Sequence, residues 1–425
     1  MSGGDSARPP ESHGSRGSMR PSIAPVSQEP RIGLVLSGGG MRGAYEAGVV
    51  EGILAALGER RASPFRVFAG TSVGAINATY LAANTHLPDL GVAKLREVWS
   101  QLAIERHLRL DPLGFLSVQA GFRRAAHGRE GATSGRSLLD PRALEALIGA
   151  HIDWQSLREN VEAGRTLSLS VAALDVASGR TTVFTELAPA MDYRPSRDPR
   201  RQSVLEPIGR DHVLASAAIP VLFPARRIGS TYYCDGGLRF NTPISPAIRA
   251  GAERLVVVTL GRRGQVEPEV SLAQYPSLLF LAGKVMNALL LDPVVYDLAV
   301  LERVNSLVEV LERVLPSERL AEVDRALMDA RGTHYRRIET LVFSPSEDLG
   351  AIANDHLQHH LDSWQLRRIP RWLLNAARSS QADWAAYVLF EGGFAERLMD
   401  LGRRDALARR DEIRCFFAGA RPLPV

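Results

Sequence analysis

Gly70-Thr71-Ser72-Val73-Gly74 sets a serine between two glycines directly after an apolar run, and Asp235-Gly236-Gly237 sets a carboxylate directly before two more. The first pattern is G-x-S-x-G, a sharp strand-to-helix turn that leaves the Ser72 hydroxyl exposed as a nucleophile. The helix expected after it, VGAINATYLAAN, would turn its positive amino-terminal end towards charge developing there. Acyl transfer also needs a base for the serine proton and N–H donors for the oxyanion. Gly38, Gly39, Gly40, Arg42 and Gly43, in the loop SGGGMRG, offer backbone donors where a substrate can approach without meeting a Cβ. Asp235, within STYYCDGGLRFNTP, follows a short aromatic strand and can project towards the same edge. A carboxylate with a pKa near ~4 is a weak base in water, so apolar surroundings that include Tyr233 would have to raise it.

Each element has a plainer reading. Gly38, Gly40 and Gly43 also satisfy G-x-G-x-x-G, the dinucleotide fingerprint, which requires an acid about 20 positions on, at the end of the second strand. Glu59 has nearly that spacing but precedes the strand. Asp235-Gly236 can be a turn without chemistry. The late histidines His334, His356, His359 and His360 stand in no catalytic context; DHLQHH (355–360) has metal-like spacing but no supporting acidic or Cys cluster, so exposed helix positions are expected. His212, beside an apolar helix, is expected to be structural.

These residues need strands that end together. RIGLVL (31–36), FRVFAG (65–70), LSLSVAAL (167–174), TTVF (181–184) and RLVVVTL (254–260) read as strands, and helical patterns at about 43–57 and 73–84 follow the first two. That alternation predicts an α/β fold with a mostly parallel sheet, in which the glycine loop and Ser72 close neighbouring strands at one edge. Ala177-Ser178-Gly179 reads as a hairpin turn.

At 425 residues, 45% hydrophobic and 23% charged, the chain has a globular composition. The expected organisation is a Ser/Gly/Pro-rich disordered tail over 1–30, a catalytic domain over 31–262 and a mostly helical extension over 263–425. A strand near 339–344 is free to join the main sheet. Net charge is +4, and Lys94 and Lys284 are the only lysines, so positive charge is nearly all arginine. Cys234 and Cys415 are too few for a disulfide framework or a Cys-based zinc site. The first thirty residues lack the apolar stretch of a signal peptide, and no uninterrupted membrane-spanning run exists, so a cytoplasmic protein is expected. The apolar segment 275–301 would cover the active-site mouth as a lid or pack as a core helix pair, whereas Trp364, Trp372 and their neighbouring arginines would sit at an anionic membrane surface or pack within the fold, with Pro370 weakening a continuous helix there.

Taken together, SGGGMRGAYEAGVV, GTSVGAIN and the block from Ala215 to Gly261 resemble the patatin-like phospholipases, over roughly 31–262. The resemblance implies a three-layer α/β/α fold and a Ser72–Asp235 dyad. It places the oxyanion hole on Gly38, Gly39, Gly40, Arg42 and Gly43, with Gly70 and Gly74 at the nucleophile elbow and Gly236 and Gly237 in the D-G-G box. It implies hydrolysis of phospholipid or other acyl-lipid esters through an acyl-enzyme, with no histidine, metal, cofactor or nucleic acid. Arg42 would order the loop, meet a lipid phosphate or pack at the start of the helix. Two competing expectations remain: a membrane-docking scaffold with a vestigial hydrolase core, and nucleotide binding by the glycine loop.

Overall fold

A computed structural model describes residues 30–103, 140–220, 222–262, 292–332, 334–360 and 385–419. The tail over 1–29, the apolar stretch up to residue 291 and the segment holding Trp364 and Trp372 lie outside the described residues. The chain runs through β1 (Ile32–Leu36), α1 (Ala44–Leu57), β2 (Val67–Thr71), α2 (Val73–Ala83), α3 (Val92–Ser100), α4 (Arg142–His151) and α5 (Trp154–Glu162). It continues through β3 (Ser168–Asp175), β4 (Thr181–Leu187), β5 (Arg201–Leu205), α6 (Arg210–Ser216), β6 (Arg226–Ile228), β7 (Thr231–Asp235), α7 (Ile244–Arg249) and β8 (Arg254–Val258). The C-terminal part holds α8 (Asp292–Val314), α9 (Ser317–Arg331), β9 (Glu339–Phe343), α10 (Leu349–His360), α11 (Ala385–Val388), α12 (Gly392–Ala408) and α13 (Arg410–Ala418).

Among the described residues, nine strands form one sheet with the main order β5-β4-β3-β2-β1-β8-β9. The centre is parallel: β2, β1, β8 and β9 run in register, Leu34 facing both Phe68 and Val256. Every residue of β1 and β2 is buried, as expected where helices cover both faces of a parallel sheet. Antiparallel pairing enters at β3, which takes β4 through the turn around Ser178 and also β7. The β3–β7 pairing opposes Ala173 to Asp235, which carries the carboxylate back to the edge where β2 ends.

Residue 262 does not divide two bodies. β9 lies parallel to β8 within the same sheet, and the described residues from Arg31 onward form one compact unit. Helix α1 is buried along most of its length, and α12 packs closely against it. The two backbones meet at glycines: a Cβ on Gly48 would strike the Met399 carbonyl, and one on Gly402 the Tyr45 carbonyl. Tyr45 also donates through its hydroxyl to Asp405 at 2.9 Å.

Candidate active site

Ser72 closes β2 and caps α2 with φ 56°, a left-handed backbone that a side chain adopts at a cost of about 1–3 kcal/mol. The glycines around it allow this turn: a Cβ on Gly70 would collide with the Gly74 carbonyl, and one on Gly74 with the carbonyl of Leu36 on β1. Ser216 fixes the strained residue, its Oγ accepting the Ser72 N–H at 2.8 Å and donating to the Ala172 carbonyl at 2.6 Å.

The structure brings Ser72 and Asp235, 163 positions apart, into contact: the serine Oγ donates to Oδ2 at 2.6 Å. Gly237 donates its N–H to Oδ1 at 2.7 Å, and Gly236 lets the turn pass against the Ala172 carbonyl. Asp235 is fully buried. Burial pushes its pKa up to about 7, against the opposing pull of the bonds from Ser72 and Gly237. The carboxylate can therefore both hold and release a proton near neutrality.

The glycine loop lies beside this pair, since a Cβ on Gly38 would come to 3.0 Å from that of Ser72. Gly38 departs from the expected donor role because its N–H is taken by Asn241 Oδ1 at 3.0 Å, while Asn241 Nδ2 donates to the Gly38 carbonyl at 3.0 Å. Gly39 and Gly40 carry the N–H groups without a partner among the described residues. Gly40 has φ +58°, and its α-carbon sits against the Tyr387 carbonyl, so a side chain would be both strained and obstructed. The Arg42 N–H turns back to the Gly39 carbonyl at 3.3 Å, and its guanidinium is buried 4.1 Å from the Tyr387 ring centroid. Arg42 thus orders the loop and is not placed to meet a lipid phosphate in solvent. Gly43 starts α1 against Val73, its carbonyl accepting from Asn77 on α2 at 3.0 Å. Asn77 also donates to the buried Glu46 at 2.9 Å, tying loop to elbow.

Ser72 and Gly40 open into a cavity walled largely by apolar side chains, including Ile76, Trp99, Ile148, Phe223 and Phe390. Tyr387 and Phe390 come from beyond residue 262, so the C-terminal region completes the site. His151, which drew no notice in the sequence, also lines this cavity. The late histidines lie elsewhere. His356 is buried rather than exposed, paired through Nε2 with Glu391 at 2.7 Å, because α12 covers its helix; His359 is exposed near Asp355, and His334 pairs with Asp324. His212 joins Glu206 and the Gly209 N–H. Ser216, Asn241 and Asn77 were missed as positioning residues: each is one polar residue within a quoted block, with no spacing pattern to mark its partner.

The site is thus a serine–carboxylate pair at the ends of a mostly parallel sheet, beside a glycine loop and an apolar cavity. The model of the patatin-like phospholipase family matches residues 34–248, half of the chain, and the chain belongs to that family. It is 30% identical over 242 residues to the uncharacterized protein YjjU of Escherichia coli, covering 56% of this chain and 55% of that one. It is 32% identical over 211 residues to a cGAMP-activated phospholipase of Pseudomonas aeruginosa, covering 49% and 53%. The chain thus spans about half the length of these curated relatives. Among solved structures, human GIVD cytosolic phospholipase A2 with a fluorophosphonate matches at 13% identity and TM-score 0.42, covering 92% of this chain and 59% of that one. VipD from Legionella pneumophila matches at 13% identity and TM-score 0.29, covering 88% and 67%.

Proposed function

We propose that the protein is a lipid acyl hydrolase that cleaves carboxylic esters of phospholipids through an acyl-enzyme on Ser72. The observation that carries this reading is the 2.6 Å hydrogen bond from Ser72 Oγ to a buried carboxylate whose pKa lies at about 7. Asp235 takes the serine proton as Oγ attacks the ester carbonyl carbon, and the oxyanion receives the N–H groups of Gly39 and Gly40. Collapse expels the alcohol half of the ester, which leaves with the proton from Asp235. Water then gives a proton to Asp235 and attacks the acyl-enzyme, releasing a free fatty acid and restoring Ser72. The apolar cavity suits the acyl chain, since it removes hydrocarbon from water while keeping the carbonyl beside Ser72.

Nucleotide binding by the glycine loop fits less well, because Asn241 occupies the Gly38 N–H and the buried Arg42 guanidinium lies over the Tyr387 ring. A vestigial core is disfavoured by the intact nucleophile, base and loop. No helix among the described residues is long and apolar enough to cross a membrane. Mass spectrometry of products from a mixed bacterial lipid extract tests the reading. Wild type should release free fatty acids and lysolipids while Ser72→Ala releases neither; equal release by both would refute it.

A further inference from the structure

One residue before the Asn241 that braces Gly38, the Phe240 ring forms part of the wall of a separate cleft of about 380 Å³. This lies within the size range of small-molecule sites, roughly 300–1,000 Å³. Five arginines and two aspartates line it. The arginines converge from different parts of the chain: Arg197 before β5, Arg201 on it, Arg249 ending α7, Arg331 ending α9, and Arg336 before β9. Among the described residues, Arg197, Arg249, Arg331 and Arg336 have no carboxylate within salt-bridge distance. Arg249 is held by the carbonyls of Arg194 and Pro195 at 3.0 Å each and of Arg331 at 3.3 Å, and its buried Nε has no partner among the described residues.

The acidic side chains do not balance this charge. Asp198 is engaged by Arg200 at 3.0 Å through the backbone and lies 3.8 Å from Arg201. Asp297 is pushed up to about 6 by burial against the pull of Arg201, so it is largely ionised at neutral pH and offsets one of the five arginines. His334 is occupied by Asp324. Convergent guanidinium forks with surplus charge match the several acceptor oxygens of a phosphate group better than a single carboxylate.

We propose that this cleft binds a small soluble phosphate-bearing anion and that its occupancy is felt at the glycine loop. The connection is contiguous. Arg201 lies 4.1 Å over the Phe240 ring, the Phe240 carbonyl accepts from Thr71 Oγ1 at 3.0 Å next to Ser72, and Asn241 grips Gly38 through both its N–H and its carbonyl. An anion that anchors Arg201 pins Phe240 and the loop it braces, so occupancy raises turnover.

Isothermal calorimetry with inorganic pyrophosphate, on the full chain carrying Ser72→Ala, reads binding independently of any activity. Pyrophosphate should bind, and Arg197→Gln with Arg331→Gln should weaken it by about tenfold or more. These two side chains are exposed and have no partner among the described residues, so an unchanged Tm is expected to accompany the loss. No binding, or equal binding by the double variant, overturns the site. Sedimentation with phosphatidylglycerol vesicles separates the sources: vesicle binding that falls in the double variant without pyrophosphate binding would assign the arginines to a lipid headgroup and overturn the soluble ligand. Pyrophosphate should also raise p-nitrophenyl butyrate turnover by the wild type and not by Arg201→Gln. Turnover unchanged at saturating pyrophosphate overturns the coupling.

Discussion

At the scale of single residues, the proposed mechanism requires Asp235 to be buried enough to become a base and still exchange a proton with Ser72. With a pKa of about 7, kcat/KM is expected to rise as pH passes from 5.5 to 8 and then level off; a flat profile over that range would contradict the assignment. The same shift has a stability sign. Unfolded Asp titrates near ~3.9, so between that value and about 7 the native state holds a proton that the unfolded state has released. Raising pH through this window therefore removes stability, and above pH 7 the buried charge exerts its full cost. Asp235→Asn should abolish turnover yet raise Tm relative to wild type more at pH 8 than at pH 5, as scanning calorimetry would read. Ser216→Ala leaves the Ser72 N–H buried without its acceptor. Its expected cost is about 1–3 kcal/mol in denaturant unfolding, with a lower kcat and little change in KM.

At the scale of elements, the motif residues were legible because glycines bracket them: strained Ser72 needs Gly70 and Gly74 on either side, and Asp235 needs the turn that follows it. The central strands were legible for a related reason, since β1, β2 and β8 are buried on both faces and read as continuous apolar runs. β5 was not, because Arg201-Gln202-Ser203-Val204-Leu205 is an edge strand with no fully buried residue. Nor was the pairing of α1 with α12, which depends on glycines more than 350 positions apart approaching each other's backbone. Gly48→Ala should destabilise the protein by about 1–3 kcal/mol, since the Met399 backbone has no room to move. Gly149→Ala, in the exposed part of α4 with nothing within 4 Å of the new methyl group, should stabilise by about 0.5–1 kcal/mol. Paired urea melts would read both, and destabilisation by Gly149→Ala as large as that by Gly48→Ala would contradict the packing account.

At the scale of the whole molecule, the region beyond residue 262 supplies a sheet strand, the cover of α1 and part of the active-site wall. The composition and the change to helical patterns suggested an extension, but they held no sign that Tyr387 would seat against Gly40 and beneath Arg42. A chain ending at residue 262 should therefore fail to accumulate as folded protein. The central claim is that Ser72 is a nucleophile activated by a buried carboxylate. Its most direct test is intact-protein mass spectrometry after brief exposure to an alkyl fluorophosphonate at pH 5.5 and pH 8. One adduct on Ser72 is expected, forming faster at pH 8, absent from Ser72→Ala and strongly slowed in Asp235→Asn. Labelling of Ser72→Ala equal to wild type, or labelling of Asp235→Asn at the wild-type rate, would contradict it.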